Sequence, residues 1–209
     1  MRLFLVRHGR TAWNAGEVFR GREDIPLDHV GETEAGLLAE RLRGEGIEVI
    51  FSSPLMRAKQ TALRISEQTG VSVVEAEELI DLDYGQWQGR TLQEVKVNFP
   101  GLYELWIKKP HEVVFPSGEG LKDVLGRVAP FVETVLEGFC NRTVAFVTHK
   151  VVLKVIICHL LGMGLSAFWK VEQSTSALNL FEYRDGLWRA KLINDTCHLA
   201  SLKEGGVEF

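Results

Sequence analysis

Leu3-Phe4-Leu5-Val6-Arg7-His8-Gly9 is the stretch on which the reading of this sequence turns. Its apolar run is too short for a helix and ends abruptly in charged residues, the pattern of a strand buried on both faces. Thr143–Thr148 repeats the arrangement late in the chain and is followed by His149. Between the two lie further short apolar runs, Glu48–Ser52 and Val71–Val74, which read as strands. They alternate with segments of helical spacing: Ala35, Leu38, Ala39 and Leu42; then Leu55, Ala58, Ala62 and Ile65. Leu121 to Leu136 predicts a long amphipathic helix with a kink at Pro130, and Lys150 to Leu161 an apolar one. Asn179–Tyr183 and Trp188–Ile193 flank Asp185-Gly186 and predict a hairpin.

Strands alternating with helices give an α/β fold, a three-layer sandwich with a mostly parallel sheet. The terminal hairpin supplies an antiparallel edge. Residues from about 81 to 118 have no clear period and many aromatics, and are expected to form a small helical cap insert in a single domain covering 1–209. A loop carrying Gly16, Gly21 and Pro26 follows the first strand.

The composition, 45% hydrophobic and 25% charged, is that of a folded globular protein. A net charge of −4 gives no reason to expect a nucleic-acid or acidic-membrane partner. Cys140, Cys158 and Cys197 form no CxxC pair and no even-numbered framework, so a reducing, cytoplasmic setting is expected. The N-terminal residues lack a signal-peptide pattern, and the longest apolar run, Val151 to Leu161, is broken by Lys154 and His159.

Arg7-His8 and Thr148-His149 both fall at the carboxyl ends of strands, where open α/β sheets bind ligands. Two histidines remote in sequence are therefore expected to share one crevice. Arg7, Arg20, Arg22 and Arg57 cluster near apparent loop starts, and guanidinium groups bind phosphate through paired hydrogen bonds. No HxH, HExxH or CxxC occurs, and neither a GxGxxG nor a P-loop, so no metal, nucleotide or other cofactor is expected.

Arg7-His8-Gly9-Arg10-Thr11-Ala12-Trp13-Asn14 resembles the opening signature of the histidine phosphatase superfamily, the phosphoglycerate-mutase-like proteins. Gly21–Leu27, Ser52–Ala62, Asp83–Gly89, Val147-Thr148-His149 and Asn194–Leu199 resemble its later segments in order. The resemblance implies that His8 is a nucleophile taking the phosphoryl group and that Arg7, Arg57 and His149 surround that group. It also implies that Asn14, Arg20, Gly21, Thr148 and His198 are substrate-binding. The family's acid is usually a glutamate; Asp81 stands in that slot, one methylene shorter. Lys150 replaces a residue that is usually small and is expected to face solvent. Gly120 replaces a serine and is expected to remove a helix cap.

The branch of the family is read from what the cap lacks. Arg90 is the only arginine from Gly89 to Gly118, and no proline run appears there, which favours a simple phosphatase over a cofactor-dependent mutase. The expected function is hydrolysis of a small phosphate ester, a phosphorylated metabolite such as phosphoserine or α-ribazole phosphate, by a monomer or homodimer. A phosphoglycerate mutase and a silent module binding a phosphorylated ligand are the alternatives.

Overall fold

The computed structural model describes residues 1–15 and 17–204; Gly16, expected in the loop after the first strand, lies outside them. Six strands form one sheet: β1 Arg2–Arg7, β2 Val49–Ser52, β3 Val73–Glu75, β4 Thr143–Thr148, β5 Leu178–Arg184 and β6 Leu187–Asp195. Their order is β3-β2-β4-β1-β5-β6. β1, β2, β3 and β4 pair in parallel, and β5 and β6 add the antiparallel edge.

The central strands are apolar on both faces because each face meets its own core. Leu3, Leu5, Val144 and Phe146 pack on one side with α6 (Leu121–Gly138) and α7 (Lys150–Leu160). Phe4, Val6, Ala145 and Val147 pack on the other with α2 (His29–Leu42) and α3 (Met56–Thr69). Each such side chain, once fully buried, contributes about 1.5–3 kcal/mol. This alternation makes the three layers. Between β3 and α6 lie α4 (Leu92–Asn98) and α5 (Pro100–Lys108), with short 3-10 turns. Their aromatics pack into the α6 and α7 core, Trp87 against Phe115 and Trp106 against Phe168. α1 (Ala12–Ala15) follows β1, and α8 (Ala200–Glu204) follows β6. No helix among the described residues is long and apolar enough to cross a membrane.

Three local readings are corrected. The third strand runs Val73–Glu75 rather than Val71–Val74, because pairing with β2 begins at Val73 opposite Ile50. Val71 is apolar because it packs against the second core, not because it pairs. The first long helix starts at His29, well before the periodic residues, where Asp28 Oδ1 accepts the Gly31 N–H at 2.8 Å. Gly31 interrupts the apolar pattern for a steric reason: a Cβ there would lie 2.0 Å from the Arg10 carbonyl oxygen. The Gly120 departure is more than a lost cap. A Cβ there would stand 2.5 Å from the Val113 oxygen, and the Asp123 carboxylate accepts the Gly120 N–H at 2.7 Å instead. α6 runs unbroken through Pro130.

Candidate active site

The parallel register of β1 and β4 sets Arg7 beside Thr148. The next residue on each strand is a histidine, and the His8 N–H donates to the Thr148 carbonyl at 3.0 Å. The two imidazole rings stand 5.2 Å apart between centroids and are fully buried. His8 Nδ1 lies 2.7 Å from the Gly9 carbonyl oxygen. A carbonyl can only accept, so Nδ1 carries the proton and Nε2 keeps its lone pair. His149 Nε2 lies 2.7 Å from Ser53 Oγ. That oxygen also accepts the Leu55 N–H, and the other ring nitrogen, Nδ1, stands 3.6 Å from Asp81 Oδ2.

Two arginines are fastened into the same space. Arg7 Nη1 donates to the Gln173 carbonyl at 2.8 Å. Gln173 is held by a reciprocal amide pair with Asn179, both bonds 2.8 Å. Arg57 donates to the carbonyls of Glu23 and Gly21 and to Asp81 Oδ2, at 2.8, 2.8 and 3.1 Å. Arg7 Nε and Arg57 Nε are buried donors without a hydrogen-bond partner. Buried donors are normally satisfied, so both atoms keep a hydrogen-bonding capacity that the fold itself does not use. Gly21 lets the loop reach Arg57: its φ is +53°, and a Cβ would meet the Gln88 side chain at 2.3 Å.

Asp81 is 7% exposed and belongs to this cluster. Its loop is clamped from behind: Arg22 and Arg127 donate to its carbonyl, and the Thr148 hydroxyl donates to the Leu79 carbonyl at 2.6 Å. Burial lifts the Asp81 carboxyl above its usual range despite the pull of Arg57. Burial, reinforced by Arg57, pushes both imidazoles well below 6.5. Burial and Arg20 also lower Arg7, whose guanidinium stays charged at neutral pH.

These imidazole shifts make a stability prediction. A base whose folded pKa is depressed stabilises the fold above its unfolded pKa, and that stability is lost as pH falls below 6.5 towards the folded value. Each ring contributes up to about 1.4 kcal/mol per pH unit. Asp81 and Glu34, both raised by burial, act in the opposite sense, so a difference measurement is needed. His8→Gln should flatten the fall in unfolding free energy between about pH 6.5 and 5. Coincident denaturant curves for both proteins across that window would contradict a neutral, buried His8.

Three neighbouring cavities share Lys150 in their walls. One of about 90 Å³ holds His8, Arg20, Gly21, Asp81 and Tyr84. One of about 620 Å³ is polar and is lined by Arg7, Arg10, Asn14 and Arg20, among others. The third, about 210 Å³, is walled by Phe19, Tyr84, Trp106 and Phe168. Asn14 is held by Thr11, whose N–H and hydroxyl both reach its Oδ1 at 2.9 Å.

Among the residues named from sequence, His8, Arg7, Arg57, Asp81 and His149 come together, with Arg20, Gly21 and Asn14 on the walls. Arg57 and His149 are buried behind the cavity walls, and Thr148 and His198 likewise line none of the three cavities. The Thr148 hydroxyl is used in holding the Leu79 carbonyl, and His198 Nε2 lies 3.1 Å from the Ser176 carbonyl oxygen. Lys150 is exposed, as expected, and it also borders all three cavities. Sequence reasoning missed Ser53, Gln173 and Glu34. Glu34 is buried on α2 and accepts from the Arg10 N–H and the Thr175 hydroxyl, both 2.9 Å, joining two walls of the large cavity. Ser53 stood within a motif already quoted; Gln173 and Glu34 carry no local signal.

An unprotonated ring nitrogen among guanidinium donors suits attack on the phosphorus of a bound ester, and this defines a phosphoryl-transferring enzyme. The family model "Histidine phosphatase superfamily (branch 1)" matches residues 3–196, and the chain belongs to that superfamily. Phosphoserine phosphatase 1 of Hydrogenobacter thermophilus is 37% identical over 202 residues, covering 95% of this chain and 94% of its own. The structure of Bacillus stearothermophilus YhfR superposes with a TM-score of 0.90 at 27% identity, over 95% of this chain and 98% of that one. The mycobacterial glucosyl-3-phosphoglycerate phosphatase Rv2419c, in complex with VO3, gives 0.87 at 27%, over 93% and 99%.

Proposed function

We propose that the chain hydrolyses small phosphate monoesters by passing the phosphoryl group through Nε2 of His8. The supporting observation is the Nδ1–H to Gly9 hydrogen bond, which leaves an unprotonated Nε2 on a ring that lines one pocket with Arg20 and Asp81. Arg7, Arg57 and His149 hold the equatorial oxygens and stabilise their charge in the transition state. Asp81, whose carboxyl burial shifts towards the protonated form, gives a proton to the departing alkoxide. The resulting carboxylate then takes a proton from the water that attacks phosphohistidine, which restores both groups. The shorter side chain is offset by the Arg22, Arg127 and Thr148 contacts that hold its loop inward.

The helical segment at 81–118 supplies the apolar wall of the crevice. Phosphoserine leads the candidate substrates because of the Hydrogenobacter relative, with α-ribazole phosphate beside it. The free thiols of Cys140 and Cys158 suit a reducing cytoplasm.

Turnover of a panel of esters, without added 2,3-bisphosphoglycerate, tests the reading. Asp81→Asn should slow alkyl esters by about 10²–10⁴-fold and aryl esters less, because poor leaving groups depend most on a proton donor. Equal losses for both in single-turnover phosphorylation would remove Asp81 from that role.

A further inference from the structure

Lys154 is a buried cation that the chemistry above does not use. It sits one helical turn after Lys150 on α7 and is 3% exposed. Its neighbours in the helix are apolar: Val151, Val152, Leu153, Val155, Ile156 and Ile157. Nζ stands 4.8 Å from the Phe168 ring centre and 4.6 Å from that of Trp169. Neither Lys154 nor Lys150 has a carboxylate within ion-pair distance among the described residues. Cation–π contacts contribute about 0.5–2 kcal/mol, less than the several kcal/mol that burying an ammonium costs. An aliphatic residue would fill this position at lower cost, so the charge calls for a partner.

The cavities indicate where that partner enters. Lys154 borders both the large polar cavity and the aromatic one, and Lys150 borders these and the pocket holding His8 and Asp81. Lys150 is shared between the pocket of His8 and the two cavities that Lys154 lines, so the alcohol portion of an ester seated at His8 has room beside both lysines. Lys150 is also the first residue of α7, where the helix dipole already favours an anion. Glu172 lines the large cavity as well, but it comes no closer than a long-range interaction with either lysine.

We propose that Lys154, assisted by Lys150, forms a specificity subsite for a carboxylate on the alcohol portion of the substrate. The preferred substrates are then phosphate monoesters of hydroxy acids, with any apolar part against Phe19, Tyr84 and Trp106. This rests on the phosphatase reading above. Burial and Lys150 lower Lys154 to about 8, which leaves it mostly charged at neutral pH and able to meet such a group.

Matched esters differing by the carboxylate test it: phosphoserine against phosphoethanolamine, and 3-phosphoglycerate against glycerol 3-phosphate. The readout is the ratio of kcat/KM within each pair. The wild-type chain should favour the carboxylated member, and Lys154→Met should lower the ratio about 10- to 100-fold, mainly through KM. Lys154→Arg should keep most of the ratio, which a merely structural lysine would not require. Lys150→Met, at an exposed position that tolerates it, should lower the ratio by a smaller factor. A wild-type ratio near one, or ratios unchanged in a folded Lys154→Met, would overturn the subsite. Should Lys154→Met not fold, an unchanged ratio in Lys150→Met overturns it. Failure of the wild type to turn over any ester overturns the phosphatase reading, and the subsite with it.

Discussion

Replacing His8 with alanine is expected to lower kcat for every phosphate ester by about 10⁴-fold or more, the scale of losing a covalent nucleophile. The loss should extend to good and poor leaving groups alike, because in the proposed mechanism the attack of His8 on phosphorus displaces either alcohol in the same step. The fold should survive: the ring's one hydrogen bond is to the adjacent Gly9 carbonyl, and the backbone N–H that joins Thr148 remains. Steady-state rates on an aryl and an alkyl ester, with thermal unfolding alongside, check both points. A variant retaining a tenth of wild-type kcat would remove His8 from the centre of the chemistry.

Arg57→Ala is expected to have the second largest effect, and a double one. Its guanidinium joins the Gly21–Glu23 loop to Asp81, and in the proposed mechanism its unpartnered Nε meets the transferring phosphoryl group. Removing one such donor costs about 10²–10³ in kcat. Removing one partner of a buried ion pair also leaves Asp81 Oδ2 and the Gly21 carbonyl without this donor, a further cost of about 3–5 kcal/mol in stability. Arg57→Lys should recover part of the stability and little of the rate, since an ammonium cannot fill a fork. A loss of unfolding midpoint with near-normal kcat would make Arg57 a structural clasp only.

The sheet was legible because its central strands are buried on both faces and so are written as unbroken apolar runs. Thr143–Thr148 was read with its observed ends, and the Asp185-Gly186 turn placed the hairpin. Elements whose apolar residues face other parts of the cap were not legible. α4 buries Val95 alone, so it has no stripe, although Thr91 and Glu94 form a capping box at its start. The start of α2 was hidden because Gly31 serves a backbone contact rather than the helix.

The site divides the same way. His8, Arg7, Arg57, Asp81 and His149 lie in motifs with a fixed order, and topology alone brings two strand ends together. Lys154 looked like an interruption in an apolar run. Its meaning comes from Phe168 and Trp169, which the chain brings beside it only in the folded state. Thr148 illustrates the converse: its place next to His149 suggested substrate contact, but its hydroxyl points back to the Leu79 carbonyl.

The most direct test is to quench the turning-over enzyme in base and locate its phosphate by mass spectrometry, with ³¹P NMR to assign the ring nitrogen. The expected result is one acid-labile, base-stable phosphoryl group on Nε2 of His8. Phosphate on His149, a base-labile acyl phosphate on Asp81, or active turnover with no phosphoenzyme in a rapid-quench time course would contradict it.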